Sequence, residues 1–416
     1  MPQDLIVGLD IGTTKICAVV GEVRDQQVEI VGVGSAPTAG GLRKGVVVNI
    51  ENTVRAIRRA VEEAETIAGC EIRSVYTGVA GAHIQGHNAQ GVIVIKDREV
   101  TPADVERVIE SARIMVSIPS DREVIHTLIQ EYLIDGQDGI KDPVGIHGVR
   151  LECRVHLVTG SVNALNNIIR CANRAGLEVS GIALQSLACG EAVLTEEEKA
   201  LGVALVDFGG GTTDLAIFAG NSLRYNSVIP VGGNNLTNDI AVGLQTSLNN
   251  AEQLKKEFGC CVNALEGGSS DVEIPGLGGR RPRHMPRREL ANIVELRMRE
   301  IIGLLAKEVQ KASGGNPVLA GAVVSGGSAQ IPGLPELVDD ILYLPTRIGY
   351  PVAAGGLADV IRDPSYATGV GLVLYGHRMQ HPSHDFTGTG PGPRGTKTGG
   401  KSKTWARLKR WFQDVV

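Results

Sequence analysis

Aromatic side chains are scarce in this 416-residue chain, where Phe, Trp and Tyr together make up 3% of the residues. Glycine is abundant instead, at 54 residues. The hydrophobic share of 43% and the charged share of 21% are those of an ordinary soluble globular protein. We therefore expect a core of Val, Ile, Leu and Ala joined by many tight turns, and a length of two to three domains.

Cysteine patterns typical of metal sites or disulfide frameworks are missing. The chain has seven cysteines, an odd number, and no two of them stand in a CxxC spacing. This argues against both a zinc site and a disulfide framework, so we expect reduced, buried thiols in a cytosolic protein. The cysteines are Cys17, Cys70, Cys153, Cys171, Cys189, Cys260 and Cys261.

Long apolar runs are absent as well. No segment stays apolar over enough residues to span a membrane. The start, MPQDLIVGLD, has neither the basic region nor the apolar region of a signal peptide, so we do not expect export.

Negative charge dominates the chain but not its C-terminal tail. The net charge is −5, yet the residues from Arg394 to the end carry seven basic side chains and one acidic one, Asp414. The tail is therefore basic and the rest of the chain strongly acidic, which predicts a separate, anionic partner for the tail.

A glycine-rich hairpin is the feature around which the chain is organised. Residues 203–218 read VALVDFGGGTTDLAIF and predict a strand, a tight turn and a second strand. Gly209, Gly210 and Gly211 permit positive φ, and their N–H groups can form an anion-binding nest. Asp207, just before them, can hold a metal ion beside a phosphate. A plain glycine hairpin is the alternative interpretation.

A second copy of this pattern lies near the N-terminus, where residues 6–15 read IVGLDIGTTK. An apolar strand again leads into an aspartate, Asp10, and Gly12, Thr13 and Thr14 follow. Two phosphate-binding hairpins about half a chain apart predict two similar lobes that close on one nucleotide. The pair resembles the phosphate loops of the actin, Hsp70 and sugar-kinase ATPase superfamily.

A third glycine turn occurs within 318–334, VLAGAVVSGGSAQIPGL. An apolar strand runs into Gly326, Gly327 and Ser328, and Pro332 permits a helix to restart. The functional interpretation is a turn beneath the adenosine or its phosphates. An ordinary strand–helix turn is the alternative.

Apolar residues at helical spacing predict the helices of the two lobes. The first covers 50–68, with Asn52 or Thr53 as its N-cap. Further helices are predicted over 162–175, 235–248, 250–258, 287–312 and 363–374. The apolar side of the helix at 287–312 consists of Ile293, Leu296, Ile301, Leu304 and Leu305. The segment 267–286, rich in Gly, Pro and Arg, is predicted as a loop.

Small residues mark the helix predicted at 363–374. Ala367, Gly369 and Gly371 lie within it and favour close packing against a neighbouring helix.

Residues 82–162 predict a separate small α+β module. A strand is expected at 91–96 and a helix after Thr101, with Pro102 at its first position. Two extended segments, 123–133 and 149–159, follow. The buried side of the helix is predicted to be Val105, Val108, Ile109, Ala112 and Met115.

The last residues of the chain, 403–416, read KTWARLKRWFQDVV and follow a Pro/Gly/Ser-rich linker at 380–402. On a helix the large apolar side chains fall within one arc of roughly 140°. A basic, Trp-rich amphipathic helix of this kind predicts an interfacial membrane anchor. Docking in a protein groove is the alternative. The membrane contacts are expected from Trp405, Arg407, Leu408, Lys409, Arg410, Trp411, Phe412 and Val415.

Taken together, these features resemble the FtsA family of actin-like bacterial cell-division proteins over essentially the whole chain. The resemblance implies an α/β, actin-like (ribonuclease H-like) two-lobed ATPase fold with a small α+β insertion, called 1C, and a C-terminal amphipathic helix. It implies subdomain 1A at 1–81, 163–195 and 361–379, 1C at 82–162, 2A at 196–232 and 313–360, and 2B at 233–312. The alternatives are PilM of type IV pili, which has a 1C-type insert, and a small-molecule kinase of the same fold.

The resemblance also implies the nucleotide contacts. Asp10 and Asp207 are expected to hold Mg²⁺ through water, and Lys15 to reach a phosphate of ATP. Gln185 matches a water-orienting glutamine, although hydrolysis is expected to be weak at most. Phosphate contacts are implied for Gly12, Thr13, Thr14, Gly209, Gly210, Gly211, Thr212 and Thr213. Ribose and adenine contacts are implied for Glu252, Lys255, Lys256, Gly326, Gly327 and Ser328, although Glu252 and Lys255 could equally form a surface ion pair.

The implied function is that of a scaffold in which ATP is an assembly switch. ATP sets the angle between the lobes and favours head-to-tail filaments built through 1C. Subdomain 2B receives the C-terminal peptide of the tubulin-like FtsZ, and many terminal helices bind anionic lipid by avidity. The expected location is the cytoplasmic face of the bacterial inner membrane at the division septum, with other division proteins and no nucleic acid. An arginine-rich segment, 280–288, could attract acidic peptide or lipid, or be a solvated charge run.

Overall fold

The computed structural model describes residues 5–25, 27–262, 271–278, 280–312, 318–352 and 355–381. Most of the predicted linker and all of the predicted terminal helix lie outside these residues. The strands are β1 (Leu5–Ile11), β2 (Lys15–Arg24), β3 (Gln27–Pro37), β4 (Leu42–Arg43), β5 (Val46–Val47), β6 (Ser74–Val79), β7 (Gln85–Val94), β8 (Arg122–Ile134), β9 (Gln137–Ile140), β10 (Arg150–Ser161), β11 (Glu178–Leu184), β12 (Val203–Phe208), β13 (Thr213–Ala219), β14 (Ser222–Ile229), β15 (Asp271–Ile274), β16 (Arg283–Pro286), β17 (Ala322–Ser325) and β18 (Thr346–Ile348).

Helices cover the sheets that these strands form. They are α1 (Ile50–Ala68), α2 (Pro102–Ile114), α3 (Val162–Ala175), α4 (Gln185–Val193), α5 (Glu196–Leu201), α6 (Gly233–Gly243), α7 (Leu248–Phe258), α8 (Arg287–Ala312), α9 (Leu334–Leu342), α10 (Ala358–Ile361) and α11 (Ala367–Gln380). Two short 3₁₀ turns occupy Gly327–Gln330 and Pro364–Tyr366. None of the helices in these described ranges is both long and apolar enough to cross a membrane.

Two five-stranded sheets with the same topology form the two lobes. The first has the order β3-β2-β1-β6-β11 and the second the order β14-β13-β12-β17-β18. In each sheet the first three strands are antiparallel and the last two add in parallel. The predicted glycine hairpins are the β1–β2 turn and the β12–β13 turn, so both occupy the same place in their lobes.

Helices cover both faces of the first sheet, and glycines permit their close approach. On one face α1 packs against β2 and β3, and on the other α11 packs against β1, β2 and α4. A Cβ on Gly371 of α11 would overlap the carbonyl oxygen of Ala188 in α4. The predicted close packing against a neighbouring helix is confirmed at Gly371, whereas Gly369 lies against Val19 of β2. The predicted bounds 363–374 were wrong, since the helix runs over Ala367–Gln380.

The N-cap of α1 is Asn49, so the prediction of Asn52 or Thr53 was wrong. The Oδ1 atom of Asn49 accepts a hydrogen bond from the N–H of Asn52 at 3.0 Å. Asn52 therefore lies inside the first turn, where its free N–H needs a cap from three residues earlier. The helix ends at Gly69, in the left-handed conformation with φ 65°.

The inserted module consists of its own sheet and helix. Its sheet has the order β7-β10-β8-β9, and its core contains the fully buried Leu151, Cys153, Val155 and Leu157. Thr101 and Asp104 cap α2 reciprocally, as expected for a helix that starts with Pro102. Two predictions were wrong here. The strand expected at 91–96 runs over Gln85–Val94, and Met115 lies beyond the helix with 72% of its surface exposed.

Several sequence predictions for the second lobe were wrong. The helix expected over 235–248 ends at Gly243, and the loop expected over 267–286 contains the hairpin of β15 and β16. Leu296 is 71% exposed rather than part of the apolar side of α8. That side consists of Leu290, Ala291, Val294, Met298, Ile301, Ile302, Leu305, Val309 and Ala312.

All seven cysteines are free thiols, as predicted, and every one except Cys70 is buried. Burial raises the pKa of Cys17 to about 12, so this thiol is protonated and unreactive at neutral pH.

The base of the inserted module contacts both lobes through two buried histidines. Nε2 of His126 accepts a hydrogen bond from the N–H of Leu184 in the first lobe at 2.9 Å. Nε2 of His156 lies 2.8 Å from Oδ1 of Asn226 in the second lobe. Burial is the main cause that lowers the pKa of each histidine to about 4.

The burial of His156 predicts that acid lowers the stability of the protein. Its pKa is about 4 in the folded chain and ~6.5 in the unfolded chain, so acidification protonates the unfolded state first. Stability from this group is therefore complete above pH ~6.5 and is lost as the pH falls towards 4. We expect wild type to lose about 2 kcal/mol relative to His156→Gln between pH 7.5 and 5, measured by urea unfolding at both pH values. Parallel pH profiles for the two proteins would contradict this.

Candidate functional site

The two glycine hairpins meet face to face. A Cβ on Gly210 would collide with Oγ1 of Thr14, and one on Gly211 would lie 2.5 Å from Oγ1 of Thr13. Oγ1 of Thr14 also donates to Oδ1 of Asn234 in the second lobe at 3.3 Å. The lobes therefore approach each other closely at the two turns predicted to bind phosphate.

The glycines are needed here for space, not for positive φ. Among the residues that the structure describes, the positive-φ glycines do not include Gly209, Gly210 or Gly211. The prediction that these three use their freedom of φ is therefore wrong. The missing side chains of Gly210 and Gly211 instead allow the turn of the other lobe to come close.

Backbone contacts brace the first turn. Gly12 donates its N–H to the carbonyl oxygen of Lys15 at 3.0 Å, which closes the hairpin. The buried Thr38 donates its hydroxyl to the carbonyl oxygen of Gly12 at 2.8 Å and its N–H to that of Thr14 at 3.0 Å. The Thr13 hydroxyl accepts from the N–H of Gly45 at 3.0 Å. These contacts hold the turn in one conformation before any ligand binds.

Three aspartates gather beside the turns. Burial and the charge of Asp207 raise the pKa of Asp10 to about 7, while Lys15 opposes the shift. Burial raises the pKa of Asp207 to about 6, against a hydrogen bond from Thr368. Burial and the charge of Asp207 raise the pKa of Asp214 to about 7. The cluster therefore carries negative charge that lacks full compensation.

Asp214 and Thr368 were missed by the sequence predictions. Asp214 faces Asp207 directly in the β12–β13 register, and its Oδ2 accepts from the Thr212 hydroxyl at 2.8 Å. A symmetric hairpin centred between Gly210 and Gly211 places 207 opposite 214, so the position of Asp214 could have been predicted from the sequence. Thr368 donates to Oδ2 of Asp207 at 3.2 Å from α11, and no local pattern indicates that contact.

Gln185 lies beside the first aspartate. It is the first residue of α4, and its Nε2 donates to Oδ1 of Asp10 at 2.8 Å. Gly78 of β6 makes the approach possible, since a Cβ there would lie 2.8 Å from Cγ of Gln185. The structure thus brings Gln185 to the carboxylate cluster, while its role in orienting water stays a prediction.

Lys15 is held at the edge of the site. Its Nζ donates to Oγ of Ser365 at 2.9 Å and lies 3.7 Å from the centre of the Tyr366 ring. Both partners belong to the second 3₁₀ turn. The ammonium group therefore has neighbours that a phosphate would have to displace or share.

The second glycine turn is hydrogen-bonded to the first residues of α6. The carbonyl oxygens of Gly209 and Gly210 accept from the N–H groups of Gly233 at 3.0 Å and Asn234 at 2.8 Å. The Thr213 hydroxyl donates to the carbonyl oxygen of Val231 at 2.8 Å. The Thr213 hydroxyl is therefore committed to the fold, and its backbone is paired with Phe208 and Ile229 in the sheet.

The residues expected beside the ribose and adenine gather at the same helix start. Nζ of Lys255 lies 2.7 Å from Oε2 of Glu252 and donates to the Thr237 hydroxyl at 3.0 Å. Burial lowers the pKa of Lys255, and Glu252 opposes that shift. A Cβ on Gly233 would lie 2.5 Å from Oγ of Ser328. Lys256 is exposed, 3.7 Å from Glu252.

Glycine is required at position 326 by both the backbone conformation and the surrounding atoms. Its φ of 84° is left-handed, and a Cβ would collide with Oδ1 of Asp207. Gly327 follows it into the first 3₁₀ turn. The third glycine turn therefore lies against the carboxylate cluster and the start of α6.

The oxygen donors at this site suit Mg²⁺. Buried carboxylates with raised pKa values gain from a cation, and Mg²⁺ prefers oxygen ligands and keeps several waters. Within the described ranges, no group of three or more His, Cys, Asp or Glu side chains is placed to coordinate a metal directly. The buried carboxylates therefore fit a cation that keeps some of its waters.

Family comparisons match most of this architecture. The family model "Cell division protein FtsA" matches residues 204–371, and "SHS2 domain inserted in FTSA" matches residues 81–159, within the inserted module. The chain is 47% identical to the cell division protein FtsA of Pseudomonas aeruginosa, over 98% of this chain and 97% of that protein. It is 43% identical to that of Neisseria meningitidis serogroup B, over 99% of both chains.

Solved structures share the fold at low sequence identity. A PilM–PilN type IV pilus biogenesis complex matches with a TM-score of 0.66 and 18% identity, over 90% of this chain and 99% of that one. MreB5 of Spiroplasma citri bound to ADP matches with a TM-score of 0.55 and 15% identity, over 91% and 99%. The two-lobed architecture is the predicted actin-like ATPase fold, with the predicted insertion.

Proposed function

We propose that this chain, which belongs to the FtsA family of cell division proteins, is an ATP-binding scaffold that tethers the FtsZ ring to the cytoplasmic membrane. The observation that carries the proposal is the meeting of the two glycine hairpins beside Asp10 and Asp207. Family membership favours cell division over the PilM-like alternative, since the two relatives described above are 47% and 43% identical and the PilM structure is 18% identical. The kinase alternative lacks a supporting observation.

The nucleotide site is proposed to bind ATP between the lobes. The N–H groups of both turns and their hydroxyls, except that of Thr213, would contact phosphate, as would Lys15 once it leaves Ser365. Asp10 and Asp207 would hold Mg²⁺ through water, and the cation would neutralise phosphate charge. Glu252, Lys255 and the third glycine turn would contact the ribose and adenine. Because these groups come from both lobes, one bound nucleotide fixes their relative angle.

Assembly is proposed to follow from that fixed angle. The inserted module contacts both lobes at its base, so the lobe angle also sets the direction in which the module points. A head-to-tail contact through the module of one subunit would then build a filament that does not close. Nucleotide would act mainly as an assembly switch, with ATP hydrolysis weak at most.

The partners are proposed from the remaining parts of the chain. The outer part of the second lobe, 233–312, would receive the FtsZ C-terminal peptide. The tail at 403–416 would bind anionic lipid at the cytoplasmic face of the inner membrane, at the division septum, as a peripheral protein. Each basic residue near such a surface adds about 1 kcal/mol, and the filament adds avidity.

A reconstitution with liposomes, ATP and FtsZ tests the proposal. We expect full-length protein to co-sediment with anionic liposomes and to recruit FtsZ, and deletion of Trp405–Val416 to reduce both at least about tenfold. A double variant, Trp411→Gln with Phe412→Gln, keeps the charge and removes apolar area, so it should lose most of the binding. Unchanged sedimentation of the deletion variant would contradict the proposal that the tail is a membrane anchor.

A further inference from the structure

A continuous set of contacts joins the inserted module to the carboxylate cluster. His126, in β8 of the module, accepts a hydrogen bond from the N–H of Leu184 at 2.9 Å. Leu184 is the last residue of β11, and the next residue, Gln185, begins α4. Nε2 of Gln185 then donates to Oδ1 of Asp10 at 2.8 Å. Two hydrogen bonds and one peptide unit therefore separate the module from the aspartate.

The N–H of Leu184 requires a hydrogen-bond acceptor from the module. β11 is the edge strand of the first sheet, with β6 on one side and the module on the other. Leu184 is 1% exposed, and a buried N–H without an acceptor is costly. As an acceptor at Nε2, His126 must be neutral and carry its proton on Nδ1. Its ring is held by an edge-to-face contact with Tyr375 of α11, with the centres 6.0 Å apart.

We propose that His126 is a positioning residue of the nucleotide site, which fixes the start of α4 and, through Gln185, the orientation of the Asp10 carboxylate. The module thereby determines how strongly Mg²⁺ assists nucleotide binding. This inference rests on the proposed ATP site. By thermodynamic linkage, Mg²⁺ with ATP must in turn stabilise the contact between the module and Leu184.

Three variants separate this role from a general loosening of the module. His126→Leu removes the acceptor, whereas His126→Gln retains a side-chain oxygen that can accept from Leu184. His156→Leu is the matched control, since His156 is equally buried in the same module but contacts Asn88 and Asn226 instead. Each variant is made in the full chain.

The measured quantity is the ratio of ATP affinities with Mg²⁺ and with EDTA, from displacement of a fluorescent ATP analogue. We expect His126→Leu to reduce this ratio about tenfold, and His126→Gln and His156→Leu to stay within about twofold of wild type. If a variant only destabilised the protein and left the geometry of the site intact, the fraction of binding-competent protein would fall. The ratio of the two affinities would then stay unchanged. An unchanged ratio in His126→Leu, or an equal loss in His156→Leu, would overturn the inference.

Hydrogen exchange gives a second test, and its first comparison uses wild type alone. In wild type, ATP with Mg²⁺ should slow exchange in Glu178–Leu184 and Arg122–Ile134 together, and ATP with EDTA should not. In nucleotide-free protein, His126→Leu should exchange faster than His126→Gln at Leu184. Absence of the joint slowing would overturn the inference while ATP binding stands. A wild type that binds no ATP would overturn the proposed site itself.

Discussion

Replacing Gly371 with valine is expected to destabilise the first lobe by more than about 3 kcal/mol. A Cβ at this position would overlap the carbonyl oxygen of Ala188 and lie 3.2 Å from the N atom of Cys189. Both atoms belong to the backbone of α4, so no side-chain rotation relieves the collision. The two helices would have to separate, and α11 would lose part of its buried packing against β1. Since domains are stable by only about 5–15 kcal/mol, much of the protein should unfold on expression.

A glycine in an open position provides the control. Gly303 lies in the middle of α8, and a Cβ there would meet no atom within 4 Å. Gly303→Ala should therefore raise stability by about 0.5–1 kcal/mol through its helix propensity. Urea unfolding followed by circular dichroism compares both variants with wild type. A Gly371→Val protein with a wild-type midpoint would show that α4 and α11 do not pack as described.

Replacing Asp207 with asparagine is expected to change nucleotide binding and stability in opposite directions. Binding of ATP with Mg²⁺ should weaken about a hundredfold, because a charged oxygen that faces the proposed cation is lost. The nucleotide-free protein should gain about 1–3 kcal/mol above pH 7. Asp207 has its pKa raised to about 6, and its charge also raises those of Asp10 and Asp214, so removing it relieves the whole cluster.

The sign of the pH dependence follows from that raised pKa. Between pH ~3.8 and 6 the unfolded chain releases the Asp207 proton before the folded chain does, so wild-type stability falls as the pH rises through this window. The stability gain of Asp207→Asn should therefore be small at pH 4 and complete above pH 7. Thermal melting at both pH values without nucleotide measures it. Asp138→Asn, at an exposed aspartate of the module, is the control. Equal gains at both pH values would contradict the burial of this charge.

Local signals in the sequence determined the hairpins and most of the helices. Apolar runs that end in Asp and glycine predicted both turns, and the helices at Val162–Ala175 and Arg287–Ala312 start and end at the predicted residues. These features depend on the alternation of apolar and polar residues, on apolar residues at helical spacing and on glycine in turns. All of these act over a few residues. The same kind of pattern predicts the terminal helix at 403–416, which stays a prediction.

Interactions between distant segments were decided only by the tertiary structure. Lys15 contacts Ser365, Thr368 donates to Asp207, and His126 accepts from Leu184, each across a large separation in sequence. The use of Gly210 for close approach also depends on Thr14 in the other lobe. No local pattern encodes such contacts, because they exist only when two faces meet in a given orientation. The sequence by itself therefore determined that two matching glycine turns exist, whereas the packing of the lobes and the module decided what surrounds them.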